Sequence, residues 1–81
     1  MKKIVFLGAS RDVTEDQARQ ELSALGPVVD VLIVRDGDPE KPLVIATMDI
    51  NSGAAEFIVS RIHNRWHHGH MMTAHILHDH A

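Results

Sequence analysis

The segment from Lys41 to Met48 (KPLVIATM) constrains the fold most, because it predicts a strand that is apolar on both faces. Side chains alternate across a sheet. The two predicted rows are Val44, Ala46 and Met48 on one face, and Leu43, Ile45 and Thr47 on the other. In a chain this short, helices can cover only one face of a sheet. The row that holds Leu43 and Ile45 is therefore predicted to be an uncovered aliphatic surface, which is a candidate contact site.

Length and composition predict one small domain over residues 1–81. No apolar run approaches the roughly 20 residues of a membrane span, and the N-terminal residues lack the pattern of a signal peptide. The chain has no cysteine, which excludes disulfides, iron–sulfur clusters and thiol catalysis and is compatible with the expected cytoplasmic location. Its formal net charge of −3 excludes a global attraction to nucleic acid, so any such role needs a local basic patch.

Hydrophobic spacing and turn signals predict six elements. In chain order they are a strand at Ile4–Leu7, a helix capped by Thr14, a strand at Val28–Val34, the strand that follows Lys41, a helix that starts near Asn51, and a strand at Met71–Leu77. This βαββαβ order predicts an α+β, ferredoxin-like sandwich: a four-stranded antiparallel sheet with both helices on one face. The other face of the sheet stays open.

With this order, nearly the whole chain resembles the RNA recognition motif (RRM). The residues on the family's spacing are Gly26, Val28, Val31, Ile33 and Asp36 through the second strand, and Ala55, Ile62, Gly69, Met72 and Ala74 further on. Ile4–Ala9 and Lys41–Met48 occupy the family's two ribonucleoprotein signatures. The resemblance implies a partner, single-stranded RNA, bound on the open sheet face.

The sequence departs from the family where bases stack. RRM domains stack bases on aromatic rings of the open face, at about 1–3 kcal/mol per base. Leu43 and Ile45 stand at the two aromatic positions of the central strand, and Pro42 replaces a glycine. Lys41 remains as the expected phosphate contact. The resemblance therefore implies an atypical, weakly binding member.

The register of the first strand leaves two alternatives. An ungapped alignment places Val5 on the open face and Phe6 in the core, whereas a turn one residue shorter exchanges them. We favour the ungapped register. The predicted nucleic-acid or partner contacts are Lys3, Val5, Phe6, Lys41, Leu43 and Ile45.

A different class of function fits the same row. Small soluble proteins rarely leave large apolar patches open, so the C-terminal tail, the hairpin loop or a second copy of the chain could cover Leu43 and Ile45. The rival function is therefore protein interaction, most simply a homodimer through this row. Trp66 is the single tryptophan, and packing against the end of the second helix is favoured over an exposed anchor role.

All seven histidines lie between His63 and His80, and His75 is predicted on the open face. Neutral imidazole is a common transition-metal ligand. The candidate metal ligands are His67, His68, His70, His78 and His80. Their spacing matches no defined zinc motif, and a polar edge that binds metal adventitiously is the favoured explanation. No cofactor is expected. No nucleophile–base pair or phosphate loop is present in the sequence, so the chain is not predicted to be an enzyme.

Overall fold

The computed structural model describes residues 1–67 and 69–77, leaving the side chain of His67 aside. These residues form two helices and five strands. Their bounds are β1 Lys2–Leu7, α1 Glu15–Ser23, β2 Val28–Val34, β3 Leu43–Met48, α2 Ser52–Ile62, β4 Arg65–His67 and β5 His70–Leu77. The strands pair in the order β2-β3-β1-β5-β4, and every pairing is antiparallel.

The predicted α+β order is confirmed, but the prediction of four strands is wrong. The additional strand is β4, which lies between the predicted second helix and the predicted last strand, where no element was predicted. His63 ends α2, and Asn64 takes a left-handed conformation (φ 58°) that turns the chain directly into Arg65. The three residues of β4 then pair with the first residues of β5. A three-residue strand is too short to show the alternation by which strands are recognised.

Polar caps fix where both helices begin. The Thr14 hydroxyl accepts the backbone N–H of Gln17 at 3.1 Å, and the Gln17 side chain accepts the N–H of Thr14 at 3.2 Å. This capping box confirms the predicted cap at Thr14. At the second helix, the Asn51 side chain accepts the N–H of Ala54 at 2.8 Å. Both caps satisfy N–H groups that have no partner within the helix.

The core lies between one face of the sheet and the two helices. Its buried members are Ile4, Phe6, Ala18, Leu22, Val31, Val44, Ala46, Met48, Ala55, Ile58 and Ala74. In β3 the side chains of Val44, Ala46 and Met48 are at most 3% exposed. Leu43, Ile45 and Thr47, on the other face, are half-buried. The two predicted rows of this strand are therefore confirmed, and the sheet keeps one face free of helices.

Neither helix in residues 1–67 and 69–77 is long and apolar enough to cross a membrane. The cytoplasmic location stays a prediction.

Candidate nucleic-acid interface

Strand register aligns four side chains in one row across the open face of the sheet. Leu32 on β2 lies opposite Ile45 on β3, Ile45 lies opposite Val5 on β1, and Val5 lies opposite His75 on β5. Facing residues of neighbouring antiparallel strands have Cβ atoms about 4.5–5.5 Å apart. The row is therefore a continuous surface of three aliphatic side chains that ends in an imidazole ring. We call it the central row.

Two further rows flank the central row. On one side, Asp30 lies opposite Thr47, Thr47 opposite Lys3, and Lys3 opposite Leu77. This row brings a cation onto the open face, one row away from Val5 and Ile45.

On the other side, Leu43 lies opposite Val34, and Thr73 lies opposite Leu7. The open face consequently has an aliphatic centre with Lys3 along one border.

Exposure is uneven across this surface. Leu32 is 52% exposed, Leu77 43% and Leu7 38%. Val5 and Ile45 lie between other strands and are half-buried. The most accessible apolar groups thus lie around the centre of the face, where a flat ligand or a partner surface would contact them.

The structure decides the register of the first strand. Phe6 is 2% exposed and belongs to the core, whereas Val5 is half-buried on the open face. The ungapped register is confirmed. The inclusion of Phe6 among the contact residues is wrong, since its ring packs in the core between the sheet and the helices. Among the described side chains, the central row therefore holds no Phe, Tyr or Trp.

The other predicted contact residues meet on the same face or at its border. Leu43 and Ile45 project from β3 on the open face, and Lys3 lies in the flanking row. Lys41 is exposed and lies two positions before the first residue of β3, with the buried Pro42 between them. Its amide donates to the Asp38 carbonyl at 3.0 Å, which fixes the end of the β2–β3 loop.

Two arginines near this loop are engaged in structural contacts. The Arg35 guanidinium donates to the carbonyl of Arg11 at 2.6 Å and also to the carbonyl of Val13. The Arg11 guanidinium in turn lies 3.3 Å from both carboxylate oxygens of Glu40. These bonds tie the β1–α1 loop to β2 and to the β2–β3 loop, so Arg35 serves the fold.

Sequence reasoning missed Leu32, the most exposed aliphatic side chain of the central row. The signal was available in the β2–β3 hairpin, because pairing Val34 with Leu43 brings Leu32 opposite Ile45. A β-bulge between Val28 and Asp30 hid it. The bulge interrupts the alternation within β2, so the sequence pattern did not show which side chains share a face.

A cleft of about 800 Å³ lies on the opposite, helix-covered side of the sheet. Its walls come from α1 and from the end of α2 with β4, and Phe6 and Val44 contribute to its lining. Trp66 stands at this cleft and is 70% exposed. The favoured interpretation of Trp66 as a mostly buried residue is therefore wrong. Because the cleft and the central row lie on opposite sides of the sheet, the cleft is not part of the candidate interface.

Of the five predicted metal ligands, the structure describes the side chain of His70 alone. Within residues 1–67 and 69–77, no group of three or more His, Cys, Asp or Glu residues could hold a metal ion. His70 is exposed at the start of β5. His68, His78 and His80 lie outside the described residues, as does the side chain of His67. A histidine-based metal site stays a prediction.

Two histidines contact each other at the outer end of the central row. The ring centroids of His63 and His75 are 5.2 Å apart, and the ring planes meet at 75°. His63 Nδ1 accepts the backbone N–H of Ala74 at 3.2 Å. The end of α2 is thereby joined to β5 next to the exposed His75 ring.

Solved structures with the same fold cover most of this chain. The third RRM domain of Pes4 superposes with a TM-score of 0.82 at 18% identity, covering 100% of this chain and 96% of that one. The third RRM domain of Mip6 gives a TM-score of 0.79 at 16% identity, covering 91% and 89%. The Rna15 RRM, solved with bound RNA (GU), gives 0.67 at 17% identity, covering 89% and 79%.

No family model matches the chain, and no curated protein matches it at a significant level. The solved domains named above are RRM domains, and at 16–18% identity this likeness shows the fold alone. By its fold, this chain is an RRM-like domain.

Proposed function

We propose that this chain is a single RRM-like domain that binds single-stranded RNA weakly through the open face of its sheet. The observation that carries the proposal is the central row, a continuous apolar surface of Leu32, Ile45 and Val5 with Lys3 in the next row. The Rna15 domain, which has the same fold, was solved with RNA bound. Apolar side chains contact the faces of bases, and lysines at the border contact phosphates.

Weak binding follows from the residue types on this face. Each base stacked on an aromatic ring contributes about 1–3 kcal/mol. Leu43 and Ile45 occupy the positions where the family carries such rings, and an aliphatic side chain supplies dispersion contacts only. The net charge of −3 adds no general attraction to a polyanion. Affinity then depends on Lys3, on Lys41 and on the apolar area that the bases cover.

The test is a titration of the isotope-labelled chain with a short mixed-sequence RNA, followed by NMR on the backbone amides. We expect saturable shifts at Val5, Leu43, Ile45 and Lys41. In fluorescence anisotropy, Lys41→Ala should bind the same RNA about two- to fivefold more weakly, the loss of one exposed ionic contact.

Arg19→Ala is the matched control, since it removes the same charge from the exposed side of α1. It should bind like the wild-type chain. The proposal fails if the open-face amides do not move at RNA concentrations that saturate nonspecific binding, or if both variants lose affinity equally.

A homodimer through the same face is the second candidate, and the exposure of Leu32, Leu77 and Leu7 on that face favours it. Two copies that pack face to face would bury these side chains symmetrically. We expect such a dimer to dissociate in the variant Leu32→Asp, because a carboxylate would be buried without a partner.

Light scattering coupled to gel filtration, over a series of protein concentrations, measures this directly. A wild-type chain that remains monomeric at the highest concentration excludes the dimer. If the wild-type chain is a dimer that dissociates in Leu32→Asp, and its open-face amides do not shift when RNA is added, the RNA proposal is excluded in favour of the dimer.

A further inference from the structure

The rings of the described side chains lie in different parts of the molecule. Phe6 is buried in the core, and Phe57 is exposed on α2, where the Arg61 guanidinium lies 5.6 Å from its ring centroid. Trp66 lines the cleft and lies opposite Met71 where β4 pairs with β5, outside the central row. His75 is exposed and lies opposite Val5 on the open face. Among the rings that the structure describes, His75 alone belongs to the central row.

His75 is also held in a defined orientation. Its ring makes an edge contact with the ring of His63, at a centroid separation of 5.2 Å and an interplanar angle of 75°. This T-shaped arrangement is a favourable one for aromatic pairs. A ring whose plane is fixed before a ligand arrives loses less conformational entropy when a base stacks on it.

His63 is in turn fixed by the backbone. Its Nδ1 accepts the N–H of Ala74 at 3.2 Å, the residue that precedes His75 in β5. A nitrogen that accepts this bond carries no proton, so the neutral ring carries its proton on Nε2. This bond holds the His63 side chain against β5, so the His63 ring cannot rotate without breaking it.

From these contacts we propose that His75 is the base-stacking ring of this domain and that His63 is the residue that positions it. The inference rests on the proposed function. One unpaired base of a single strand stacks on the His75 imidazole, and the edge of that base contacts Val5. The stacking position then lies on the last strand, next to β1, and not at Leu43 or Ile45 of β3. Because every base has a π-face, this contact should discriminate little among the four bases.

The experiment uses a short mixed-sequence RNA that carries one 2-aminopurine, whose fluorescence falls when the base stacks on a ring. His75→Ala should bind about five- to tenfold more weakly and lose most of the quenching on binding, since one stacked base is lost. His75→Phe should keep or exceed wild-type affinity and quenching. His70→Ala removes another exposed histidine from the same strand and should leave both unchanged.

His63→Asn tests the positioning role. Its side-chain oxygen can still accept the Ala74 N–H, so the thermal midpoint should stay close to wild type, whereas the ring contact is gone and the quenching should be reduced. If His63→Asn leaves the quenching intact, the positioning role is wrong.

The failures of the two proposals are distinguishable. If wild type and His75→Ala bind RNA with equal, salt-sensitive affinity, the stacking role is overturned. RNA binding through the open face is not contradicted by that result. If His75→Ala loses RNA affinity and quenching and His75→Phe does not restore them, stacking is also overturned, because the imidazole would then act through its ring nitrogens. A wild-type chain that does not bind the probe at all overturns both.

Discussion

Ile45 shows, at the scale of one residue, why the open face is suited to weak contacts. It lies between Leu32 and Val5 in the central row and is half-buried by its neighbours. Its side chain offers apolar area but no ring, so a base above it gains dispersion contacts without stacking. The backbone of β3 nonetheless presents position 45 on the open side of the sheet, beside Val5. One substitution should therefore be enough to give this position a ring on which a base can stack.

The first prediction concerns Ile45→Phe. A ring at this position would give a base a stacking partner at the middle of the face, and RNA affinity should rise about fivefold or more, from a gain of at least ~1 kcal/mol. Fluorescence anisotropy with a short single-stranded RNA measures the change. Gln20→Phe adds the same ring to the exposed side of α1 and should not alter affinity. An Ile45→Phe variant that binds like wild type would show that bases do not reach position 45.

At the scale of the elements, local signals predicted the helices better than the sheet. The caps at Thr14 and Asn51 depend on hydrogen bonds within three residues, so the sequence alone located them. Which side chain of β1 faces the core depends on long-range register, and only the pairing of Val5 with Ile45 and His75 decided it. Strand β4 pairs with residues close by in the chain, but its three residues are too few to show the alternation by which a strand is recognised.

The close approach of β1 to β5 yields the second prediction. Gly8 follows β1 with a φ of +90°, and a Cβ built on it would lie 2.2 Å from the carbonyl oxygen of Met71. Gly8→Ala should lower the free energy of unfolding by about 2 kcal/mol or more, since backbone strain of 1–3 kcal/mol adds to this clash. Chemical denaturation followed by circular dichroism gives the value.

Gly53→Ala is the matched control for that experiment. Gly53 lies in the first turn of α2, and a Cβ there would meet only the Asn51 side-chain oxygen at 3.5 Å, an ordinary contact. Alanine has the higher helix propensity, so this variant should be neutral or stabilised by up to about 1 kcal/mol. Equal losses in the two variants would contradict the close packing of β5 against the end of β1.

For the whole molecule, the balance of charge limits how RNA can be held. The chain carries 8 Lys and Arg against 11 Asp and Glu. Arg35 and Arg11 are engaged with backbone carbonyls and with Glu40, and the proposed phosphate contacts are Lys3 on the open face and Lys41 at its border. Acidic residues elsewhere, such as Glu15 and Asp16 at the start of α1, repel a polyanion that approaches from the helix side. Binding should therefore be confined to one face and depend on few ionic contacts.

The third prediction is a shallow salt dependence. For single strands, the logarithm of the binding constant falls with the logarithm of salt concentration by about 0.7 per phosphate neutralised. Two lysine contacts thus predict a slope of about −1.4, and Lys3→Ala should reduce its magnitude by about 0.7. Anisotropy titrations across a salt series give both slopes, with Arg19→Ala expected to match wild type. A steep wild-type slope that Lys3→Ala does not change would mean that more phosphates are neutralised than Lys3 and Lys41 can contact. The RNA would then be held by cations outside the open face.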